Sequence, residues 1–139
     1  MYASFTRRFS AYTLDNILIV FITATAAVSI LGERDAALFQ SPDDLSTAFW
    51  LVYGFYTFAS IGYFTILISG GGQTVGKWLL GIKVTLPDGE QVSTGRALVR
   101  CIGYYISGVF LYIGFLVSLI DPRRQAFHDK IAGTVVVEI

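Results

Sequence analysis

Three long apolar segments constrain the fold of this chain more than any other feature of its sequence. They cover residues 16–32, 45–76 and 101–120, and none of them contains a charged residue. Each segment is long enough to cross a bilayer as a helix. With 54% hydrophobic and only 14% charged residues, the chain is also too apolar for a soluble domain of its size. The sequence therefore predicts an all-α membrane protein with about three transmembrane helices.

Composition also narrows the classes of partner and activity. The ten basic and ten acidic residues cancel, so no net charge points to nucleic acid, and we expect the lipid bilayer to be the main partner. The single Cys101 permits no internal disulfide and is expected to be a small buried thiol. Residues 1–139 are interpreted as one transmembrane domain, with no metal, no cofactor and no enzymatic activity expected.

The first apolar segment follows Arg7 and Arg8, as the apolar part of a signal peptide follows its basic start. Asp15 and Asn16 interrupt that pattern, so we expect a retained helix over about residues 11–31. The second half of this helix is rich in Ala, Ser and Thr. Small residues of this kind let membrane helices approach closely, so this half is expected to contact another helix.

The second apolar segment predicts a helix over about residues 45–68. Its hydroxyl-bearing side chains recur at three- and four-residue spacing and therefore share one helix face. They are Tyr53, Tyr56, Thr57, Ser60 and Tyr63. This face either packs its hydroxyls between helices or forms the polar lining of a permeation path, and the pattern leaves both interpretations open.

Between the second and third apolar segments, the sequence predicts structure outside the bilayer core. Residues 74–80 carry an apolar stripe beside Lys77, which favours a short helix in the membrane interface, anchored by Lys77 and Trp78. Residues 82–86 and 90–93 are expected to pair as two short strands around a Pro-Asp-Gly turn.

Residues 71–77 spell G-x-x-x-x-G-K, the opening of a phosphate-binding loop. Trp78 stands where that loop needs a Ser or Thr to hold magnesium. No strand-loop-helix unit of a soluble nucleotide-binding fold surrounds the motif. Nucleotide binding is therefore not expected.

The distribution of Lys and Arg sets the expected orientation, because short cytoplasmic segments collect basic residues. Two basic residues precede the first apolar segment, one follows it, four lie within residues 70–100, and three lie in the tail 121–130. The amino end and the 70–100 segment are therefore expected on the cytoplasmic side. The third apolar segment either crosses once, which we favour and which puts the tail outside, or bends back near Gly108 and returns the tail to the cytoplasm.

The charged residues that border the apolar segments are the candidate functional residues, because a charge near the bilayer core needs a partner or a role. The candidate ion, proton or structural charge site consists of Arg8, Asp15, Asp121, Arg123, Arg124, His128 and Asp129.

Asp15 is the most deeply placed of these charges, and two roles fit it. In the structural role, which requires a cytoplasmic tail, Arg123 or Arg124 neutralises Asp15 while Asp129 pairs with Arg8, because a buried charge without a partner is costly. In the functional role, Asp15 titrates and exchanges a proton for a monovalent cation.

His128 and Asp129 have the chemistry of a general acid and base. No nucleophile, metal cluster or oxyanion site accompanies them in the sequence. A single histidine in a basic tail is typical of a solvated or headgroup-facing side chain, and we expect His128 to be one. An enzyme acting on lipid at the interface is therefore not the preferred interpretation.

Four motifs of the chain are recognisable together. They are R-F-x-A-x-x-x-D at 8–15, T-x-G-K-x-L-x-G-I-K-V at 74–84, R-A-x-x-R at 96–100, and R-R-Q-x-x-H-D-K-x-A-G-T at 123–134. In this combination the chain resembles the RDD family of bacterial membrane proteins over nearly its whole length. The family is named for one Arg and two Asp residues. By motif position these correspond to Arg8, Asp15 and Asp129, with Asp121 as the alternative for the second Asp.

The resemblance implies a compact transmembrane helical domain, a multi-pass protein of the bacterial plasma membrane with a cytoplasmic N-terminus. Cation/proton exchange has been proposed within the family. The first functional hypothesis is therefore a small ion transporter that acts as a homo-oligomer, with Asp15 as the titrating site for a monovalent cation. The alternative is a non-catalytic membrane scaffold or accessory subunit of a larger membrane complex, in which the charges lock the helix ends together.

Overall fold

The structure is a computed structural model that describes residues 1–32, 42–109 and 113–139. In chain order its elements are α1 (Phe5–Gly32), α2 (Pro42–Gly71), α3 (Val75–Leu79), β1 (Ile82–Thr85), α4 (Thr94–Val109), α5 (Ile113–Ile120), α6 (Phe127–Ala132) and β2 (Val135–Glu138). Two of the described helices are long and apolar enough to cross a membrane, over Phe5–Ile30 and Leu45–Gly71. The expected helical architecture is present, with two candidate spans rather than three.

Both long helices extend beyond the segments that predicted them. The first was expected over 11–31 but begins at Phe5, and the second was expected over 45–68 but ends at Gly71. The first helix includes the charged residues Arg8 and Asp15, of which Arg8 lies outside the expected range. Each of these side chains has protein partners, so it is accommodated within the helix.

Residues Asn16–Ser60 form one compact unit of the chain. Many large apolar side chains are exposed there, among them Phe21 at 71% and Phe58 at 78%, as expected of a surface that faces lipid. Within this unit the Tyr56 hydroxyl donates a 2.7 Å hydrogen bond to Oδ1 of Asn16. This part of the hydroxyl face of α2 therefore serves helix packing. Among the small residues in the second half of α1, Thr23 is buried, Ala26 and Ala27 are half-buried, and the others are exposed, so the expected close contact with another helix stays a prediction.

The second compact unit combines Met1–Asp15 with Ile61–Ile139. Its sheet pairs β1 antiparallel with β2, and Tyr2 forms an isolated bridge with Val137. The amino end of the chain, the segment before α4 and the carboxyl end therefore meet in one small sheet.

The predicted hairpin around residues 87–89 is wrong in its second strand. Gly89 has a left-handed φ of 89° and forms part of a turn, as predicted, but residues 90–93 are not a strand. Residues 90–93 offer one apolar side chain, Val92, whereas β2 offers three consecutive valines that fit a half-buried pleated surface. β1 therefore pairs with a strand from the other end of the unit.

The described residues of the third apolar segment belong to two helices on either side of residues 110–112. The segment overlaps α4, which already begins at Thr94, and it contains α5. These helices have 16 and 8 residues and measure about 24 and 12 Å at 1.5 Å per residue. Both are shorter than the roughly 30 Å hydrocarbon core of a bilayer. Cys101, at the start of this segment, is buried as expected.

The first turn of α4 and the residue directly after α5 both contact the same short helix, α6. Arg96 in the first turn of α4 donates a 3.3 Å hydrogen bond to the carbonyl oxygen of Ala132 in α6. Asp121, directly after α5, pairs with Lys130 in α6 at 2.6 Å. Both flanks of the segment therefore contact α6, an arrangement that favours the returning segment over the single crossing. Residues 110–112, between α4 and α5, lie outside the described residues.

The short helix expected over 74–80 is present as α3. Its stripe of Val75, Trp78 and Leu79 is exposed at 43%, 67% and 59%. An exposed apolar stripe directly after a candidate span suits a helix in the membrane interface.

Candidate functional site

Asp15 lies at the centre of a buried hydrogen-bond cluster and is 0% exposed. Its Oδ1 accepts hydrogen bonds from the Tyr63 hydroxyl and from the backbone N–H of Gly76, both at 2.8 Å. Its Oδ2 accepts a 2.5 Å hydrogen bond from the Thr74 hydroxyl, and Nζ of Lys77 lies 3.9 Å from the same oxygen. Hydrogen bonds to an ionised oxygen are stronger than neutral ones, so this cluster fixes α1 firmly against the segment that follows α2.

The local sequence at 74–77 is suited to receive this carboxylate. Thr74 is the N-cap of α3 and accepts a hydrogen bond from the backbone N–H of Lys77 while its own hydroxyl donates to Asp15. At Gly76, an added Cβ would lie 2.3 Å from the carbonyl oxygen of Ala11. Glycine is therefore required for α3 to approach α1 closely enough for its N–H to reach Asp15.

Lys77 does not anchor α3 in the interface as the sequence suggested. The residue is only 3% exposed, because its ammonium lies beside the Asp15 carboxylate. The same ammonium lies 5.7 Å from the centroid of the Phe64 ring, within the range of a cation–π contact. The G-x-x-x-x-G-K sequence thus ends in two residues, Gly76 and Lys77, that contact a carboxylate of the chain itself.

A second buried centre surrounds Asp129, which is also 0% exposed. Arg8 donates to Oδ2 and Arg100 donates to Oδ1, and the backbone N–H of Ala126 donates to Oδ2 at 2.8 Å. Arg100 also donates a 2.7 Å hydrogen bond to the Thr134 hydroxyl oxygen. The expected contact between Arg8 and Asp129 is present, and the resulting ion triad joins α1, α4 and α6.

The charges of this triad support one another. Burial alone would raise the pKa of the Asp129 carboxyl, but the Arg100 and Arg8 guanidinium groups outweigh it and hold that pKa well below its usual range. Burial alone would lower the pKa of Arg100, but the Asp129 charge raises it. The Asp129 carboxylate therefore stays ionised at neutral pH and acts as the counter-ion of the two arginines.

His128 is not the solvated side chain that was expected, because it is only 1% exposed. Its ring centroid lies 4.2 Å from that of Tyr104, and its backbone packs against Gly103, where an added Cβ would lie 2.7 Å from the Cβ of His128. Burial lowers the pKa of His128 well below 6.5, and the charges of Arg100 and Arg8 lower it further against the opposing charge of Asp129. The imidazole is therefore neutral at physiological pH.

A layer of aromatic rings lies between the two buried centres. Tyr104 contacts Tyr12 and Phe64, with ring centroids 5.1 and 5.4 Å away. Phe64 also lies under Lys77 of the Asp15 cluster, and Tyr104 contacts His128 beside the Asp129 triad. The two centres therefore belong to one packed core.

The Asp15 cluster contains neither Arg123 nor Arg124, so the predicted pairing of Asp15 with one of them is wrong. Arg124 instead offers its backbone carbonyl oxygen, which accepts a hydrogen bond from Arg8, and its φ of 51° is left-handed. Asp15 finds its cation in Lys77, because α3 lies closer to that part of α1 than the tail does.

Asp121 closes the turn between α5 and α6. Its Oδ2 accepts hydrogen bonds from the backbone N–H groups of Arg123 and Gln125, at 3.1 and 3.0 Å, and its Oδ1 pairs with Lys130. Hydrogen bonds from Lys130 and Gln125 lower the pKa of Asp121. This carboxylate is therefore separate from the Asp129 triad.

Several residues of these centres were absent from the predicted site. They are Tyr63, Thr74, Gly76, Lys77, Arg100 and Thr134. Most of them belong to the motifs that carry the family resemblance, which was the one available signal. No group of three or more His, Cys, Asp or Glu side chains suited to a metal ion occurs among the described residues.

Comparison with known proteins agrees with the resemblance drawn from the motifs. The sequence model of the RDD family matches residues 2–133. The uncharacterised YxaI of Bacillus subtilis is 29% identical over 97% of this chain and 96% of its own length. The uncharacterised membrane protein YteJ of the same organism is 27% identical over 98% of this chain and 80% of its own length. Human FAM8A1 is 27% identical over 97% of this chain, but only 40% of that protein is covered. No solved structure matches the chain.

Proposed function

Because this chain belongs to the RDD family of membrane proteins, we propose that it acts as a non-catalytic membrane module, a scaffold or accessory subunit of a larger membrane complex. One observation carries this proposal. Asp15 and Asp129, the residues we assign to the two Asp positions of the family name, are fully buried and bonded to partners within the chain. Carboxylates satisfied in this way hold helices together.

The lengths of the relatives agree with a modular role. The chain covers 96% of YxaI but only 40% of FAM8A1. A similar domain therefore occurs almost alone in one relative and as the smaller part of another, which suits a module that operates beside other domains or subunits.

We place the module in the plasma membrane with its amino end in the cytoplasm. Nine of its ten Lys and Arg residues lie outside the stretch between the two candidate spans, and Arg34 alone lies inside it. Both flanks of the third apolar segment contact α6, which supports placing the basic tail beside the amino end and the 70–100 segment. This arrangement satisfies the tendency of cytoplasmic segments to collect basic residues.

Exchange of a monovalent cation for a proton at Asp15 is the second candidate. It is favoured by the position of Asp15 within the candidate span Phe5–Ile30, since ionisable residues inside a membrane often mark ion or proton pathways. Lys77 lies 3.9 Å from the carboxylate, beyond direct hydrogen-bonding distance. A cation that binds Asp15 would compete with the hydrogen bonds that the Tyr63 and Thr74 hydroxyls donate to it.

A reconstitution experiment separates the two candidates. The purified chain is placed in sealed proteoliposomes with a preset pH gradient, which is then challenged with sodium, lithium or potassium. We expect the gradient to persist with intact native protein, and Asp15→Asn to lower thermal stability. A cation-dependent collapse that disappears in a folded Asp15→Asn variant would overturn the scaffold proposal and establish exchange.

The accessory role also predicts that the chain is bound to at least one other protein in the membrane. Native membranes solubilised in a mild detergent are separated by size, and the chain is located by antibody. We expect it in an assembly that contains another protein in fixed proportion. Recovery solely as free chains or homo-oligomers would contradict the accessory role.

A further inference from the structure

A groove between α4 and α6 lies apart from the Asp15 cluster and the Asp129 triad. It has a volume of about 340 Å³ and is open to the surface. Its lining includes Gly95, Arg96, Val99, Lys130, Ile131 and Gly133. Two cations and two branched apolar side chains thus share one surface depression.

The two cations are held beside the groove by contacts within the fold. Arg96 is exposed and donates a 3.3 Å hydrogen bond to the Ala132 carbonyl oxygen, while its guanidinium lies over Gly133, where an added Cβ would be 2.7 Å from one terminal nitrogen. The Lys130 side chain is 45% exposed and pairs with Asp121 at 2.6 Å. A guanidinium that is positioned and still exposed is well suited to bind a phosphate through more than one N–H.

The surroundings of the groove are apolar. Leu98, Val99 and Ile102 of α4 are exposed at 41%, 42% and 49%, and Ile131 of α6 is exposed at 43%. A free phosphate ion makes no use of such a surface. A phospholipid can contact both the cations and the apolar side chains, since its phosphate pairs with the cations and its acyl chains cover the apolar surface.

The position of α6 places the groove near a membrane surface. Asp129, the neighbour of Lys130 in sequence, binds Arg8, and Arg8 lies near the start of the candidate span Phe5–Ile30. The groove therefore lies at the level where a spanning helix begins. Anionic lipid headgroups occupy that level and are recognised by basic pockets.

We propose that this groove binds the phosphate of an anionic phospholipid. Arg96 and Lys130 hold the phosphate oxygens, and Val99 and Ile131 contact the adjoining acyl chains. This inference does not depend on whether the module is a scaffold or an exchanger.

The test uses the purified full chain in an uncharged detergent. Binding of dioctanoyl phosphatidylglycerol, dioctanoyl phosphatidylcholine and inorganic phosphate is measured by calorimetric titration. We expect the anionic lipid to bind more tightly than the zwitterionic lipid, and inorganic phosphate to bind weakly. Arg96→Gln is expected to weaken binding of the anionic lipid about tenfold through loss of charge-assisted hydrogen bonds. Arg123→Gln, which removes the same charge outside the groove, is expected to leave binding unchanged.

Gly95 provides a second pair of variants that spares both cations. An added Cβ there meets no atom within 4 Å, so both Gly95→Glu and Gly95→Gln are expected to fold. The new carboxylate of Gly95→Glu should repel a phosphate and weaken binding of the anionic lipid, whereas Gly95→Gln should not. The thermal unfolding temperature of each variant, measured without lipid, checks that its fold is intact.

Three results would overturn the proposal. In the first, phosphatidylglycerol fails to bind or binds no better than phosphatidylcholine. In the second, inorganic phosphate binds as tightly as the lipid, which would make the groove a site for a free anion. In the third, Gly95→Glu and Gly95→Gln bind the anionic lipid equally.

Discussion

The backbone N–H of Gly76 donates a 2.8 Å hydrogen bond to Oδ1 of Asp15, although 61 positions separate the two residues in the chain. This contact brings α3 directly onto α1, and the Thr74 hydroxyl reinforces it from the other carboxylate oxygen. The T-x-G-K motif thus acts in this chain as a receptor for a carboxylate of its own first helix.

The close approach at Gly76 leads to a prediction for Gly76→Ala. The new methyl group would lie 2.3 Å from the Ala11 carbonyl oxygen and 3.1 Å from Cγ of Asp15, so α3 must move away from α1. We expect a loss of about 1–3 kcal/mol in the free energy of unfolding, as for overpacked cores. Gly70→Ala is the control, since a Cβ there meets nothing within 4 Å. Equal unfolding temperatures for the two variants would contradict the proposed packing.

Asp129→Asn is expected to be among the most damaging conservative substitutions in the chain. It removes the counter-ion of Arg8 and Arg100, and leaving buried charges without a partner costs about 3–5 kcal/mol. Asp88→Asn is the matched control, because Asp88 is exposed in a turn and its Oδ1 accepts a local hydrogen bond from the Glu90 N–H. Denaturant unfolding in detergent measures both. A loss in Asp129→Asn no larger than in Asp88→Asn would argue against a structural triad.

The buried imidazole predicts a pH dependence of stability. The pKa of His128 is lowered well below 6.5 in the folded chain, so below pH 6.5 the unfolded chain takes up a proton that the folded chain does not. Stability is therefore present above pH 6.5 and falls as the pH drops, by about 1.4 kcal/mol per pH unit at most. The chain has one histidine, so His128→Gln should flatten the change in unfolding temperature between pH 7 and pH 5. An unchanged slope in that variant would refute this origin.

Removing the Tyr63 hydroxyl from the Asp15 cluster is expected to lower stability less than Asp129→Asn does. Tyr63→Phe removes the hydroxyl that donates to Asp15 and accepts the Val75 N–H at 3.1 Å. We expect a loss of about 1–3 kcal/mol, because the lost hydrogen bond is made to a charged group. Tyr53→Phe lies on the same helix with a side chain that is 48% exposed and is expected to change stability little. Thermal unfolding of the two variants measures what the Tyr63 hydroxyl contributes to stability. Equal unfolding temperatures would mean that this hydroxyl contributes no more than the exposed one of Tyr53.

Local pattern was sufficient where one segment determines its own structure. The apolar segments predicted α1 and α2, the stripe at 74–80 predicted α3, and the sequence around Cys101 predicted a buried thiol. The contact between Arg8 and Asp129 was also accessible, since two opposite charges near the membrane need partners.

Local pattern failed where a side chain depends on a distant segment. Lys77 looked like an interfacial anchor, and its burial requires Asp15 from another helix. His128 looked solvated, and its burial requires the bare backbone of Gly103. The strand partner of β1 was predicted at residues 90–93, directly after the turn, whereas β2 follows about 50 residues later in the sequence. These pairings are set by tertiary contacts that short-range periodicity does not contain.

The pairing of β1 with β2 determines when the small sheet can form during synthesis. The first strand is made by residue 85, but its partner is made only when residues 135–138 leave the ribosome. Arg8 likewise lacks its partner until Asp129 has been made, and the backbone N–H of Ala3 lacks its partner until Val136 has been made. Residues 129–138 therefore close the unit against Ala3, Arg8 and β1 after the two long helices have already been made.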